Sequence, residues 1–513
     1  MVQPSNQLTP AEDVVRHAKV VQNLTPVTML LLSAACGAPF TEQELTAQKC
    51  QLSNPITAYK AGAGASTLVT PAAAPRLVSC YQELGLGSAE PTLAVTRDGT
   101  VTYAPVFTNQ GVGLHQSRDH GKTWTTIIPK FPDNGSHGRM QPYLWRDPET
   151  DRMFLTTTTL GFTGGDTSPS TATAGYDMTR TSDNWKTYTY SNVALETSDW
   201  LKMYAGPPVT SQTQGYPNVI YISAPSPIST ILGEYQAVYK SLDGGASWQQ
   251  VGGKQLSLRI ADHPNCAPEN WVIYGNGGVG PDGSVYISLH RCGRLAVAIS
   301  RDEGNTWSMV EVPGTALLKY QGLLQMIGRA NALLTEPLAI DSEGNIYLVW
   351  PDEPGLLRLS ISRDKGQTWS APVVISAPSV KYAVYGGVAI RKPGTLAIAY
   401  YGSELGQPGP FDGYIAETTD ALAAEPSFVS ARVNDPAKPL SPVQFDVGYA
   451  RLFSGGDLHE IVKPEYAPNG DIWASFARDM CPGLGAELEN CGWDVTANTN
   501  SFYQAAVGRL VHR

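Results

Sequence analysis

Short apolar runs, several of them alternating with polar residues, recur along the chain from about residue 90 onward. Gln236–Lys240, Leu295–Ile299 and Leu357–Ile361 are three examples. Successive side chains of a strand point to opposite faces, and runs of this length and composition predict β-strands. Each of these three runs ends directly before a copy of one recurring phrase, so the strands belong to a repeating unit.

The recurring phrase is eight residues long and returns at intervals of about sixty residues. Its full copies are Ser117–Trp124, Ser241–Trp248, Ser300–Trp307 and Ser362–Trp369, and Ser182–Trp185 is a shortened copy. The closing tryptophans of the five copies are 61, 63, 59 and 62 residues apart. A fixed period of this kind predicts a repeat architecture, in which each repeat is one supersecondary unit.

The residue types of the phrase suit a tight hairpin turn. An Asp carboxylate can accept hydrogen bonds from backbone N–H groups two residues on, and Gly tolerates positive φ. The tryptophan is a large apolar group, and we expect it to be buried against its own repeating unit. The phrase therefore predicts the turn between the third and fourth strands of each repeating unit, which we call a blade. Asp119, Asp243, Asp302 and Asp364 are interpreted as turn residues rather than catalytic ones.

A second repeat runs in phase with the first and sets the blade count. Gly99, Gly283 and Gly344 lie in Asp-Gly or Glu-Gly turns that precede the next tryptophan by 25, 24 and 25 residues. Such turns favour hairpins between the first and second strands. Seven turns of this kind predict seven blades between about Glu90 and Arg513, with six blades as the alternative. The sixth blade keeps a degraded phrase at Thr419–Asp420, and the seventh has none.

The phrase resembles the Asp-box, S-x-D-x-G-x-T-W, of the sialidase-like (BNR repeat) β-propellers, and the similarity covers roughly residues 90–430. The resemblance implies an all-β propeller of four-stranded blades. It also implies hydrolysis of terminal sialic acids by a Tyr–Glu pair, an acidic Asp and three arginines. The Arg-Ile-Pro triplet that sialidases carry before the first Asp-box is missing here, and a seven-bladed ring would shift every catalytic position.

Composition and charge indicate which classes of partner and cofactor to expect. The formal net charge is −10 and only 16% of residues are charged, without a basic run. Nucleic-acid binding requires clustered Lys and Arg to neutralise phosphates, so no nucleic-acid partner is expected. The eight histidines are scattered without a metal-ligand spacing. The sequence therefore predicts no cofactor and no metal site, while a structural calcium held by loop carboxylates stays open.

The first 85 residues differ from the rest, which divides the chain into an N-terminal extension (1–85) and an Asp-box propeller (86–513). Residues 10–22 predict a short helix, with Thr9 as N-cap and Pro10 at the first helical position. The apolar stretch 27–36 resembles the hydrophobic region and lipobox of a bacterial lipoprotein, which would make 1–36 a signal segment. A lipid anchor at Cys36 would be the chain's one membrane contact. The alternative is a small helical cap on the propeller.

Seven cysteines support export. Cys266 and Cys292 flank a predicted hairpin of the fourth blade, whose geometry brings its two ends together. Cys481 and Cys491 flank one loop, and Cys50 could pair with Cys80. Three disulfides would leave Cys36 for lipidation. Paired cysteines indicate an oxidising setting, so an extracellular or cell-surface location is expected.

A ligand site is expected on one face of the ring. The loops that enter each innermost strand and the loops that leave each second strand open there, around the channel, and they are rich in Arg, carboxylates, Tyr and Trp. Such groups suit a sugar acid, because arginines can clamp a carboxylate. The candidate catalytic groups are Tyr449 as nucleophile, Glu336 or Glu269 as its activating carboxylate, and Asp199 or Asp262 as the acid. The candidate substrate-binding residues are Arg139, Arg259, Arg329, Arg451, Trp200 and His263.

Three functions remain open at this stage. The first is an exported sialidase-like glycoside hydrolase acting on terminal or acidic sugars. The second is a non-catalytic cell-surface propeller that binds a glycan or a protein. The third is a polysaccharide lyase, for which His263, His459 or Tyr449 would be the base. A carbohydrate or glycoconjugate is the expected partner in the first and third cases, and the sequence does not indicate an oligomeric state.

Overall fold

A computed structural model describes the parts of the chain that form the repeats. The described residues are 54–70, 77–88, 90–108, 111–129, 138–160, 175–193, 201–226, 235–259, 262–263, 273–315, 337–352, 355–406, 410–441, 463–479, 493–494, 499–500 and 503–512. Every regular element within these ranges is a β-strand. The predicted helix at 10–22 and the lipobox-like stretch lie outside the described residues.

Three strands precede the repeats, and the first three blades follow in chain order. The N-terminal strands are β1 (Thr57–Lys60), β2 (Thr67–Leu68) and β3 (Leu77–Gly87). Blade one consists of β4 (Thr92–Val95), β5 (Val101–Thr108), β6 (Gly111–Ser117) and β7 (Thr125–Ile127). Blade two consists of β8 (Gly138–Arg146), β9 (Met153–Leu160), β10 (Gly175–Thr181) and β11 (Thr189–Val193). Blade three consists of β12 (Lys202–Gly206), β13 (Val219–Ser226), β14 (Tyr235–Ser241) and β15 (Gln249–Val251).

The remaining blades repeat the same plan. Blade four consists of β16 (Ile273–Val279), β17 (Val285–Arg291), β18 (Arg294–Ser300) and β19 (Ser308–Glu311). Blade five consists of β20 (Leu338–Ile340), β21 (Ile346–Pro351), β22 (Leu357–Ser362) and β23 (Val373–Val374). Blade six contains β24 (Tyr382–Lys392), β25 (Thr395–Ser403), β26 (Asp412–Thr418) and β27 (Ser427–Arg432). The last strands are β28 (Pro464–Tyr466), β29 (Ile472–Asp479), β30 (Trp493–Asp494), β31 (Thr499–Asn500) and β32 (Tyr503–His512).

The blades form a seven-bladed β-propeller. Within each blade the neighbouring strands are antiparallel, and the first strand of the blade lies at one edge of its sheet, next to the first strands of other blades. Seven blades are thus confirmed and the six-blade alternative is wrong. The ring also confirms the fold that the sialidase-like resemblance implied.

The hydrophobic core lies between blades rather than inside one of them. Seven clusters of buried side chains occur in the described residues, and each joins two neighbouring blades. Tyr103 of blade one, for example, packs in one cluster with Trp473 and Val507 of blade seven. Because apolar burial is the dominant favourable term in folding, each blade is stabilised mainly by its neighbours.

The ring is closed by a sheet that joins the two ends of the described chain. β3 lies beside β32 in blade seven, with Leu77 opposite His512 and Glu83 opposite Ala506. An ion pair between Arg478 of β29 and Glu83 strengthens this blade. The N-terminal region therefore supplies the fourth strand of blade seven, and the proposed domain boundary between residues 85 and 86 falls inside β3.

An earlier N-terminal segment extends blade six. β1 pairs with β27, and β2 pairs with β1, which gives that blade six strands. Tyr59 of β1 is fully buried between blades five and six, where its ring stacks on Phe428 at 5.6 Å. Its hydroxyl donates a hydrogen bond to the Ile375 carbonyl at 2.7 Å. The segment is therefore part of the packed molecule.

The recurring phrase forms the turn between the third and fourth strands, as predicted. In the first copy, the Thr123 backbone N–H and hydroxyl both donate to the Asp119 carboxylate, at 2.8 and 2.7 Å. The donors lie four residues on rather than two, so the carboxylate spans the whole turn. Gly121 donates to the Ser117 hydroxyl at 2.8 Å. The same pattern recurs at Asp183, Asp243, Asp302 and Asp364.

The tryptophans and glycines of the phrase also face the preceding blade. Trp124 stacks on His115 of its own blade at 5.5 Å and meets Trp473 of blade seven edge-on at 6.4 Å. The expectation that it packs on its own blade alone is thus incomplete. Gly245 has φ +89°, and a Cβ there would lie 2.7 Å from Phe154 of blade two. Glycine is therefore required both for the turn and for the close approach of two blades.

Blades six and seven depart from the turn pattern for a clear reason. In blade six, Asp420 accepts hydrogen bonds from the Thr418 hydroxyl and the Ser427 N–H, both at 2.8 Å. The degraded phrase of this blade therefore still forms a hydrogen-bonded turn. In blade seven the third and fourth strands, β32 and β3, come from opposite ends of the described chain. No hairpin turn joins them, so there is no place for the phrase.

Two of the seven cysteines fall within the described residues. Cys80 of β3 and Cys292 of the β17–β18 turn are both disulfide-bonded. Their predicted partners, Cys50 and Cys266, lie outside the described residues, as do Cys36, Cys481 and Cys491. The three pairings therefore stay predictions.

Candidate functional site

A cavity lined by described residues lies on the central channel. Its volume is about 160 Å³. First strands of blades two to seven contribute to the wall, through the residues Tyr143, Trp145, Lys202, Met203, Asn276, Gly277, Leu338, Gly386, Gly387, Val388 and Pro464, together with the adjoining Pro337 and Lys463. Lys202, Leu338 and Pro464 are the first residues of their strands. The cavity lies along the inner strands that surround the channel.

Bulges in the innermost strands shape this cavity. The ladder with the second strand shifts register between Met140 and Tyr143 in β8, and between Tyr274 and Gly277 in β16. A third shift lies between Val384 and Gly387 in β24. Bulges redirect side chains and backbone locally. A Cβ at Gly277 would lie 2.2 Å from the Tyr204 ring of blade three, so glycine is needed for the two blades to approach here.

Two lysines bring positive charge to the wall. Lys202 is buried at the start of β12, and its Nζ lies 5.6 Å from the centroid of the Tyr143 ring. Lys463 lies directly before β28, with its Nζ 3.3 Å from the Glu465 Oε1 atom. Burial lowers the pKa of the Lys463 ammonium, against the opposing effect of the Glu465 carboxylate. Burial also holds the pKa of the Tyr143 hydroxyl well above its usual range, so this phenol stays protonated.

A short chain of charges continues from Lys463 behind the wall. Glu465 Oε2 lies 3.5 Å from Arg146 Nη2, and Arg146 Nη1 lies 2.9 Å from Asp151 Oδ1. Arg146 ends β8 of blade two, while Glu465 lies in β28 of blade seven. Glu465 thus lies between Lys463 and Arg146, and Asp151 binds Arg146 in turn.

His263 lies near the ligand face but is fully engaged. Arg291 Nε–H donates to His263 Nδ1 at 3.0 Å, and His263 Nε2 lies 2.9 Å from the Ser257 carbonyl oxygen. Arg can only donate, so Nδ1 is the acceptor and Nε2 carries the proton. The imidazole is therefore held in one neutral tautomer, with both nitrogens used. Asp262 is exposed beside it and accepts a hydrogen bond from the Ser257 hydroxyl at 2.6 Å.

Several carboxylates of the ligand face are paired with arginines. Asp352, after the second strand of blade five, binds Arg358. Glu404 and Asp412 of blade six share Arg432, at 2.6 and 3.3 Å. With the Glu83–Arg478 pair of blade seven, these acids serve to hold strands together.

The other predicted site residues divide into two groups. Arg139 lies on β8 opposite Thr159, and Arg259 is exposed between blades three and four. The remaining candidates lie outside the described residues: Tyr449, Glu336, Asp199, Glu269, Arg329, Arg451 and Trp200.

Sequence reasoning missed Tyr143, Lys463 and the role of Lys202. Lys202 follows the candidates Asp199 and Trp200 in the sequence, but arginines were expected to be the carboxylate ligands. Lys463 was missed because no phrase fixes the phase of blade seven. Its signal was its position shortly before the Asn-Gly turn at 469–470.

The described residues contain no cluster of three or more His, Cys, Asp or Glu side chains that could hold a metal ion. Within the same ranges, no helix is long and apolar enough to cross a membrane.

Comparisons with known proteins find likeness in structure but not in sequence. No family model and no curated protein matches the chain. Among solved structures, it is similar to the NanB sialidase of Streptococcus pneumoniae, with 12% identity, a TM-score of 0.39, and 83% of this chain and 69% of that chain covered. The chain is also similar to the intramolecular trans-sialidase of Ruminococcus gnavus, with 15% identity, a TM-score of 0.36, and 81% of this chain and 93% of that chain covered. A third similar structure is the GH93 α-L-arabinofuranosidase of Fusarium graminearum, with 12% identity, a TM-score of 0.37, and 67% of this chain and 93% of that chain covered.

Proposed function

We propose that the chain is an exported glycoside hydrolase of the sialidase-like type that acts on a terminal or acidic sugar at the channel. The observation that carries this proposal is the channel cavity, which combines an aromatic wall at Tyr143 and Trp145 with polar groups at Asn276 and Lys202. Concave sites with aromatic walls and a few placed polar groups are the usual form of small-ligand sites.

Chain connectivity supports a catalytic role for two of the predicted carboxylates. Glu336 directly precedes Pro337, which lines the cavity, and Asp199 lies three residues before Lys202. In the proposed mechanism Asp199 protonates the leaving oxygen, while Glu336 activates Tyr449 as the nucleophile.

The test is hydrolysis of a panel of fluorogenic sialosides and uronic-acid glycosides. We expect Glu336→Gln and Tyr449→Phe to lower turnover by at least about 10²-fold, because general acid–base and nucleophilic groups contribute that much. Glu343→Gln is the matched control, since Glu343 is an exposed carboxylate on the turn between β20 and β21 at the opposite face. Full activity in Glu336→Gln would contradict the assignment of this carboxylate.

A non-catalytic glycan-binding propeller is the second candidate. It is favoured by the pairing of Glu83, Asp352, Glu404 and Asp412 with arginines, because paired acids are not available for proton transfer. Glycan-array binding without turnover on any substrate would establish it. An unsaturated product that absorbs in the ultraviolet would instead identify a polysaccharide lyase.

The cellular setting belongs to the same proposal. Disulfide bonds at Cys80 and Cys292 support export to an oxidising compartment. The lipid anchor at Cys36 is tested by mass spectrometry of the protein expressed in a bacterial host. A Cys36→Ser variant that keeps the same mass, apart from the substitution, would contradict it.

A further inference from the structure

An ion pair fastens the ring-closing strand β32 to blade six. The His512 Nε2 atom lies 3.1 Å from the Glu417 Oε2 atom. Glu417 belongs to β26 of blade six, whereas His512 is the last residue of β32, which closes blade seven beside β3. The pair therefore bridges two blades at the place where the two ends of the described chain meet.

The Glu417 carboxylate is buried between strands of both blades. Its Oε1 atom accepts a hydrogen bond from the Tyr466 hydroxyl of β28 at 3.2 Å. Burial and the Glu417 charge hold the pKa of the Tyr466 hydroxyl well above its usual range, so this phenol stays a donor. Its neighbours across the sheet, Ala397 of β25 and Val429 of β27, carry no charge. Arg391 of β24 is a second basic group near the carboxylate, besides the imidazole.

A second pair on β32 has a permanent cation. Arg509 Nη2 lies 3.0 Å from Asp471 Oδ2, and the backbone N–H of His512 donates to Asp471 Oδ1 at 3.1 Å. The guanidinium stays charged at every pH at which proteins fold. Leu77 of β3, opposite His512, is apolar. The imidazole is therefore the part of this contact whose charge changes near neutral pH.

The closed ring favours a proton on the Glu417–His512 pair. Taking a carboxylate out of water is unfavourable unless a cation compensates it, and burial accordingly raises the pKa of Glu417, against the lowering effect of the neighbouring His512, Tyr466 and Arg391. One proton on the pair removes this cost, because the imidazolium pairs with the carboxylate or the carboxyl is neutral. When β32 detaches, both groups return to water and the proton is held less tightly.

We propose that the His512–Glu417 pair is a proton-linked latch, which holds β32 on blade six more firmly in mildly acidic surroundings than in alkaline ones. The sign follows from linkage: closure binds a proton, so the contribution of the latch is present at the lower pH and is lost as the pH rises. The Arg509–Asp471 pair does not titrate in this range and keeps the strand in place when the latch is weak. The latch does not depend on the proposed hydrolase activity.

The experiment is amide hydrogen exchange of the full chain, followed by mass spectrometry on the peptide Tyr503–His512 at pH 6 and pH 8. After correction for the intrinsic exchange rate, exchange reports the opening constant of this strand. One linked proton changes an equilibrium by at most tenfold per pH unit. We expect the wild-type opening constant to be at least about threefold larger at pH 8 than at pH 6.

The variants His512→Gln and Glu417→Gln should lose this pH dependence, because each keeps a neutral polar side chain in place of a titrating one. His120→Asn is the control and should keep it, since His120 is an exposed histidine of the first phrase whose positive φ Asn tolerates. Equal wild-type opening constants at the two pH values would overturn the proposal, as would an unchanged pH dependence in His512→Gln. Loss of the pH dependence in His120→Asn would contradict it as well. If Glu417→Gln does not fold, His512→Gln alone decides the question.

Discussion

Single side chains decide how tightly adjacent blades are joined. Glu303, in the phrase of blade four, is fully buried and accepts hydrogen bonds from the consecutive N–H groups of Val209, Thr210 and Ser211 at 2.7–2.9 Å. Lys240 Nζ of blade three lies 2.8 Å from the same carboxylate. One side chain thus satisfies a backbone loop and a buried ammonium of the preceding blade.

Glu303→Ala should lower the free energy of unfolding by about 3–5 kcal/mol, because it leaves Lys240 as a buried charge without its partner. Chemical denaturation of the variant measures this loss. Lys365→Ala is the matched control, since Lys365 occupies the same position of the next phrase but is exposed, and we expect a loss of at most about 1 kcal/mol. Adding Lys240→Met to Glu303→Ala should recover part of the loss. A loss from Glu303→Ala no larger than the control's would contradict this account.

The turn acids also make stability depend on pH. Hydrogen bonds from the Thr187 hydroxyl and backbone N–H lower the pKa of Asp183 from 3.8 to about 2. The folded state therefore holds the carboxylate ionised more strongly than the unfolded chain does. This contribution is complete above pH 4 and is lost as the pH falls toward 2.

Thr187→Val removes the hydroxyl donor, so its Tm should fall below that of the wild type near neutral pH, and the difference should shrink between pH 4 and 2. Thermal unfolding across this range measures the effect. Thr189→Val, an exposed threonine two residues on, is the control and should show no pH-dependent difference. A Tm difference for Thr187→Val that stays constant with pH would rule out the carboxylate as its cause.

Among the elements, β1 and β2 show where sequence reasoning stopped. The five phrases and seven turns predicted the blades because Asp, Gly and Trp mark both ends of a hairpin. β1 and β2 carry no such mark, and residues 1–85 were interpreted as an extension. Tyr59 owes its burial to Phe428 and Ile375, more than three hundred residues away, which no local pattern reveals.

Tyr59→Ala should cost about 3–5 kcal/mol of unfolding free energy, because it empties a buried position between blades five and six. Tyr59→Phe should cost about 1 kcal/mol, since only the hydrogen bond to Ile375 is lost. Equilibrium denaturation of both variants provides the test. Equal stability of Tyr59→Ala and the wild type would mean that β1 detaches from blade six.

At the scale of the whole molecule, the fold was far more predictable than the site. The fold could be predicted because the same turn residues recur in successive blades, so several copies of one pattern indicate the same structure. A site in a propeller is assembled once, from loops of different blades, and each blade supplies a different residue. Lys202 and Lys463 meet at one cavity although 260 residues separate them, and neither belongs to a repeated phrase.

The pairing of β3 with β32 has a consequence for synthesis. On the ribosome β3 emerges before any complete blade, whereas its partner β32 emerges after all the other described strands. Until Tyr503–His512 is available, the nascent chain is an open arc with unpaired strand edges at both ends. A premature stop before Tyr503 therefore yields an incomplete arc rather than a smaller closed ring, and such arcs should associate with one another through their edges.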